Sequence, residues 1–95
     1  MKFYQQAGQC SQVVEQALTN GVIGERRDGV WLGRLSKWGA TWQWDWRRDA
    51  RGHPIHVWIE RPDGTVYDPT RWVLEGVLPY IYEGPADSYG QEATP

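Results

Sequence analysis

The stretch Ile55-His-Val-Trp-Ile-Glu60, Arg61-Pro-Asp-Gly64 and Thr65-Val-Tyr-Asp68 decides the fold. Its first and last segments are rich in β-branched and aromatic residues, which favours two strands. The Pro-Asp-Gly between them suits a three-residue hairpin loop, with proline pre-set for a type I turn and glycine in the left-handed position. The sequence therefore predicts an antiparallel hairpin in which Arg61 lies opposite Thr65.

This register places His56 and Asp68 on the same face of the hairpin. Trp58 then lies opposite Asp68, and His56 is its diagonal neighbour. Diagonal neighbours in a sheet are about 7–8 Å apart, within reach of a hydrogen bond between an imidazole and a carboxylate. A slip of one residue would move Asp68 to the other face, so the turn chemistry itself favours the pair.

The only cysteine in the chain, Cys10, opens a predicted helix. The segment from Gln9 to Asn20 carries apolar residues at helical spacing, and Gly21 suits the left-handed position past a helix end. Unpaired N–H groups in the first turn of a helix favour a thiolate, and they can receive the negative oxygen that forms when a thiolate attacks a carbonyl. A small buried cysteine without chemistry is the alternative interpretation.

The remaining pattern completes the predicted fold. Strands are predicted over Val30–Leu35 and Trp42–Trp46, and Val77–Tyr82 is either a last strand or a short helix. One helix followed by a strand meander indicates an α+β fold, with the N-terminal cysteine-bearing helix packed on an antiparallel sheet. We expect a single domain over residues 1–82 and a flexible tail over 83–95, because that tail is small and polar.

A family resemblance rests on the motifs around these residues, which are His56-Val-Trp-Ile-Glu60, Tyr67-Asp68-Pro69-Thr70 and Gly8-Gln-Cys10. The first two resemble the His…Asp-Pro-Thr segment of the transglutaminase-like proteins, a branch of the papain-like cysteine hydrolases. The third is similar to their nucleophile segment. The resemblance implies a minimal papain/transglutaminase-like core, with Cys10 as nucleophile, His56 as base and then acid, and Asp68 as the orienting carboxylate.

The same resemblance implies a thiol hydrolase that acts on an amide or isopeptide bond of a protein or peptide through a thioester. Release by an amine instead of water stays open, and no cofactor or metal is expected. Gln5 and Gln9 are the candidates for an oxyanion donor, although neither has the papain spacing. Trp38 and Trp58 are candidates for substrate binding. Because the chain is short, a partner protein could complete the cleft.

Composition excludes several other classes of protein. The chain has 95 residues and a net charge of −2, so nothing in its charge favours nucleic acid or an anionic membrane as a partner. No segment approaches the ~20 apolar residues of a membrane span. A single cysteine excludes an internal disulfide, and the first residues lack the apolar stretch of a signal peptide. We therefore expect a cytoplasmic location.

A rival hypothesis from a different class is a non-enzymatic protein-binding or inhibitor domain that uses the same fold. The seven tryptophans could then dock on a protein partner. A carbohydrate- or nucleic-acid-binding module is a third hypothesis, which depends on the aromatic residues alone. The reactivity of Cys10 separates the first two, because an enzyme needs an activated thiol and a binding module does not.

Overall fold

The computed structural model describes residues 10–36 and 47–93 of the chain. Within these ranges five strands form one antiparallel sheet, in the order β4-β3-β2-β1-β5. Two helices accompany it, which makes an α+β fold. In chain order the elements are α1 Cys10–Thr19, β1 Glu25–Trp31, β2 Ile55–Glu60, β3 Val66–Asp68, α2 Arg71–Glu75, β4 Tyr82–Gly84 and β5 Tyr89–Gly90. The strand predicted over Trp42–Trp46 lies outside the described residues.

The hairpin of β2 and β3 has the predicted register. Ile59 lies opposite Tyr67, and the backbone N–H of Arg61 donates to the carbonyl of Thr65 at 2.8 Å. Gly64 has a φ of 85°, the left-handed conformation that the loop requires. The local turn chemistry therefore fixes which residues of the hairpin share a face.

Helix α1 confirms the amphipathic pattern of its sequence. It ends where predicted: Gly21 takes a φ of 102°, and the N–H of Val22 donates to the carbonyl of Ala17 at 3.1 Å. On the buried side, Val14 is fully enclosed and forms a core cluster with two residues of β2, Val57 and Ile59. This cluster fastens the helix to one face of the sheet.

A second core cluster covers the other face of the sheet. Trp31 of β1 packs there with Val73 and Leu74, the two buried residues of α2. The helix ends at Gly76, whose φ of 71° and N–H bond to the carbonyl of Trp72 close the last turn. A helix of five residues is too short for a periodic pattern, so the sequence does not predict it. No helix among the described residues has the length and apolarity to cross a membrane.

Strand β1 begins earlier than the sequence predicts, at Glu25 rather than Val30. The predicted strand over Val30–Leu35 shares only Val30 and Trp31 with β1, and the first half of β1 escapes prediction because it is charged. Those charges are paired across the surface of the sheet: Arg27 contacts Glu60 at 3.2 Å, and Arg26 contacts Asp28 at 2.7 Å. Exposed ion pairs replace the apolar side chains by which a strand is recognised in sequence.

The C-terminal segment supplies both edge strands of the sheet. β4 pairs with β3, and β5 pairs with β1. The sequence assigns residues 83–95 to a flexible tail and a last strand or helix to Val77–Tyr82. The structure instead starts β4 at Tyr82 and exposes the residues just before it. Flexibility of the tail stays a prediction, but its residues take part in the sheet.

The attachment of α1 through Val14 can be tested with one pair of variants. Val14→Ala removes two fully buried methyl groups, so we expect a loss of about 2 kcal/mol in the free energy of unfolding. Val77→Ala makes the same chemical change at a side chain that is 49% exposed, and it should cost less than about 0.5 kcal/mol. Urea denaturation measures both, and equal losses would contradict this packing.

Candidate active site

A buried hydrogen bond joins His56 of β2 to Asp68 at the end of β3. The distance between His56 Nε2 and Asp68 Oδ2 is 2.7 Å, and the exposed fractions of the two side chains are 1% and 0%. The hairpin register places the two residues on one face, as the sequence predicts. A titratable pair in this environment is the strongest chemical feature of the described structure.

Four hydrogen bonds satisfy the Asp68 carboxylate. Oδ1 accepts from the backbone N–H and the hydroxyl of Thr70, at 3.0 and 3.3 Å. Oδ2 accepts from His56 and from the hydroxyl of Tyr89 at 2.8 Å. Burial alone would raise the pKa of Asp68, but the positive charge of His56 and these donors lower it below its ordinary value. The carboxylate is therefore ionised.

Three aromatic rings surround the His56 imidazole. The ring centroids of Trp31, Trp58 and Tyr89 lie 6.2, 6.0 and 6.2 Å from it. Burial among them opposes a charge on the imidazole, yet the charge and hydrogen bond of Asp68 outweigh it and raise the pKa of His56 to about 9. His56 is thus held as an imidazolium at neutral pH.

Cys10, the first residue of α1, is the predicted nucleophile. Its side chain is partly exposed and packs against the cluster that contains Val57, the neighbour of His56 in β2. Interaction with Cys10 further raises the pKa of His56. Because Asp68 occupies Nε2, the nitrogen left for the thiol is Nδ1. That atom is buried and has no hydrogen-bond partner within the described structure.

The other predicted site residues are placed as follows. Trp58 stacks on the imidazole at an interplanar angle of 30° and is 7% exposed, so most of its ring encloses His56. Its role in substrate binding stays a prediction. Gln5, Gln9 and Trp38 lie outside the described residues.

Two contributors to the site are not found by the sequence analysis. Thr70 follows Pro69 and is already part of the Asp-Pro-Thr motif, which is a signal that could have identified it. Tyr89 lies in the segment assigned to the tail, on a strand of two residues. Such a strand carries no periodicity, so no signal in the sequence places Tyr89 beside Asp68.

A separate shallow groove lies at the C-terminal end of α1. Gly21, Val22, Ile23 and Tyr67 are among the residues that line it. Cys10 is at the opposite end of the helix, and the groove contains none of the perturbed groups described above. We therefore place the candidate site at the buried pair. Among the described residues, no cluster of histidine, cysteine or carboxylate side chains could hold a metal ion.

No protein-family model, no curated protein and no solved structure matches this chain. The family resemblance of its motifs therefore stays a prediction, and the chemical argument rests on the geometry of the site. That geometry offers an imidazole with one nitrogen bound to a carboxylate and the other buried without a partner among the described residues, together with a partly exposed thiol that interacts with the imidazole. Such an arrangement can move a proton between sulfur and a leaving group.

The raised pKa of His56 predicts a specific dependence of stability on pH. The imidazolium contribution is complete below the ordinary histidine pKa of ~6.5 and is lost as the pH rises through about 9. The difference in unfolding free energy between the wild type and His56→Gln should therefore shrink by a few kcal/mol between pH 6 and pH 9.5. Urea denaturation at the two pH values measures it.

His53→Gln is the matched control for this experiment, because it removes the only other imidazole of the chain. A change of the same size in His53→Gln would show that the pH effect does not come from the buried pair. A constant difference for His56→Gln would show that the buried pair carries no extra proton.

Proposed function

We propose that this protein is a cysteine hydrolase that cleaves an amide or isopeptide bond of a protein or peptide. Cys10 would act as the nucleophile, His56 as the base and then acid, and Asp68 as the group that orients the imidazole. The observation that carries the proposal is the buried Nε2–Asp68 bond, which leaves Nδ1 for a thiol at the start of a helix. The transglutaminase-like resemblance of the motifs supports the same assignment.

The first half of the reaction forms a thioester. The Cys10 thiolate attacks the substrate carbonyl, so that a carbon–sulfur bond forms and the carbonyl π electrons move to oxygen. The backbone N–H groups of the first helical turn favour that negative oxygen. When the carbonyl re-forms, the carbon–nitrogen bond breaks and His56 gives its Nδ1 proton to the departing amine. The products of this half are a free amine, an acyl-enzyme and a neutral imidazole.

The second half regenerates the thiolate. His56 accepts a proton from water while the water oxygen bonds to the thioester carbonyl carbon. Breaking the carbon–sulfur bond then releases the carboxylic acid and restores the thiolate beside the imidazolium. An amine in place of water would give transfer instead of hydrolysis by the same steps. Asp68 holds the proton on Nε2 throughout, so that Nδ1 is the nitrogen that exchanges protons with the substrate.

The reactivity of Cys10 against pH tests this proposal without a known substrate. A free thiol has a pKa of about 8.5, so its reactivity falls as the pH is lowered and is largely lost before pH 6 is reached. In the wild type, alkylation by iodoacetamide should persist to about pH 5–6, because the imidazolium stabilises the thiolate. His56→Ala should slow alkylation at pH 6 by more than about tenfold, whereas His53→Ala should leave it unchanged.

The opposite outcome is slow alkylation of Cys10 with the pH midpoint of an ordinary thiol, unaffected by His56→Ala. That result would make Cys10 a structural residue and end the catalytic hypothesis. Where the profile is that of an activated thiol, incubation with a peptide library and mass spectrometry of new termini identify the bond that is cleaved. Cys10→Ser, which keeps the shape of the side chain, should abolish those products.

A second candidate function, a non-enzymatic protein-binding or inhibitor domain, is supported by an exposed apolar run between α2 and β4. Val77, Leu78, Tyr80 and Ile81 are 49, 85, 40 and 50% exposed. Contiguous apolar surface of this kind is typical of a protein interface. This function predicts an inert Cys10 and a stoichiometric complex that Leu78→Lys weakens, and the alkylation profile separates it from the hydrolase.

A further inference from the structure

The Asp68 carboxylate receives a second donor from a distant part of the chain. Tyr89 lies on β5, at one edge of the sheet, and two strands separate it from β3. Its side chain nevertheless reaches Oδ2 of Asp68 at 2.8 Å, the same oxygen that accepts from His56. The Tyr89 ring packs against Trp58 and Trp31, with centroid distances of 4.8 and 5.6 Å.

The guanidinium of Arg71 in α2 lies beside the rings of Tyr82 and Tyr89. The Arg71 guanidinium carbon lies 3.8 Å from the ring centroid of Tyr82 and 5.9 Å from that of Tyr89. Its Nε donates to Glu75 at 3.1 Å. Burial opposes the charge of Arg71, but its interactions with Tyr89 and Glu75 raise its pKa above the ordinary value. Burial and the charge of Asp68 raise the pKa of Tyr89 in turn, so the phenol keeps its proton and donates it to Asp68.

We propose that Tyr89 is a positioning residue, which acts through Asp68 to fix the orientation of the His56 imidazole. Its effect on catalysis rests on the proposed hydrolase function, whereas its effect on Asp68 does not. Thr70, two residues along the chain, holds Oδ1 in a local turn. Among the described residues, Tyr89 is the donor other than His56 that holds Oδ2. Without it, Oδ2 has no donor among the described residues except the imidazole that it has to orient.

The charged and titratable groups around Asp68 come from several elements. His56 of β2 bonds to Asp68, and Tyr82 of β4 lies opposite it in the sheet. Tyr80 interacts with it electrostatically, and Arg71 of α2, with its partner Glu75, lies beside Tyr89. Removing the Tyr89 hydroxyl leaves all of them in place and takes one donor from the carboxylate. Loss of a donor to the ionised form raises the pKa of a carboxyl group, so the sign of the expected change is fixed.

Tyr89→Phe tests the proposal because it deletes the hydroxyl and keeps the packed ring. Carbon-13 NMR should show the pKa of Asp68 rising by about one unit, a tenfold change in its proton affinity. Alkylation of Cys10 at pH 6 should slow several-fold. Tyr82→Phe is the matched control, since its hydroxyl donates to the carbonyl of Pro85 at 2.6 Å and not to Asp68; it should change neither value.

The two measurements separate this proposal from the function on which it rests. An Asp68 titration in Tyr89→Phe that matches the wild type would overturn the positioning role. An ordinary thiol profile in the wild type, together with a raised Asp68 pKa in the variant, would reject the hydrolase and keep the positioning role. Should the variant fail to fold, the wild type still decides: a Tyr89 hydroxyl proton that exchanges freely with water would contradict the bond to Asp68.

Discussion

The hydrogen bond between His56 and Asp68 is the constraint on which the rest of the structure depends. Removing two charged groups from water costs several kcal/mol for each ion, and their attraction offsets this only when the remaining polar atoms are satisfied. Asp68 meets that condition with four accepted hydrogen bonds. The requirement explains two features, which are the turn at Thr70 and the long reach of Tyr89 across the sheet.

The two oxygens of Asp68 bind different partners. Oδ1 accepts from Thr70 and closes a local turn after β3, which is the ordinary role of an aspartate ahead of a proline. Oδ2 accepts from His56 and Tyr89 and ties three strands together on one face of the sheet. The structural role of this residue is therefore compatible with its proposed chemical role. The turn orients the carboxylate that the imidazole needs.

How much could be predicted from the sequence follows from the range of each interaction. The hairpin and its His56–Asp68 contact were predictable because a three-residue loop sets the register of both strands. Helix α1 was predictable from its apolar spacing and from Gly21. The first half of β1 was not, because ion pairs on its surface replace apolar side chains. Tyr89 was not predictable either, since it reaches Asp68 from a two-residue strand across the sheet.

The site draws its residues from almost the whole length of the chain, and this has a consequence for folding. His56 and Asp68 are 12 positions apart within one hairpin, whereas Tyr89 lies 21 positions beyond Asp68 and Cys10 lies 46 positions before His56. Local contacts form at a lower entropic cost than distant ones. A partly folded chain can therefore hold the histidine–carboxylate pair while its cysteine is still remote from it. Under the proposed hydrolase function, activation of the thiol would coincide with completion of the fold, and a nascent or damaged chain would carry a thiol of ordinary reactivity.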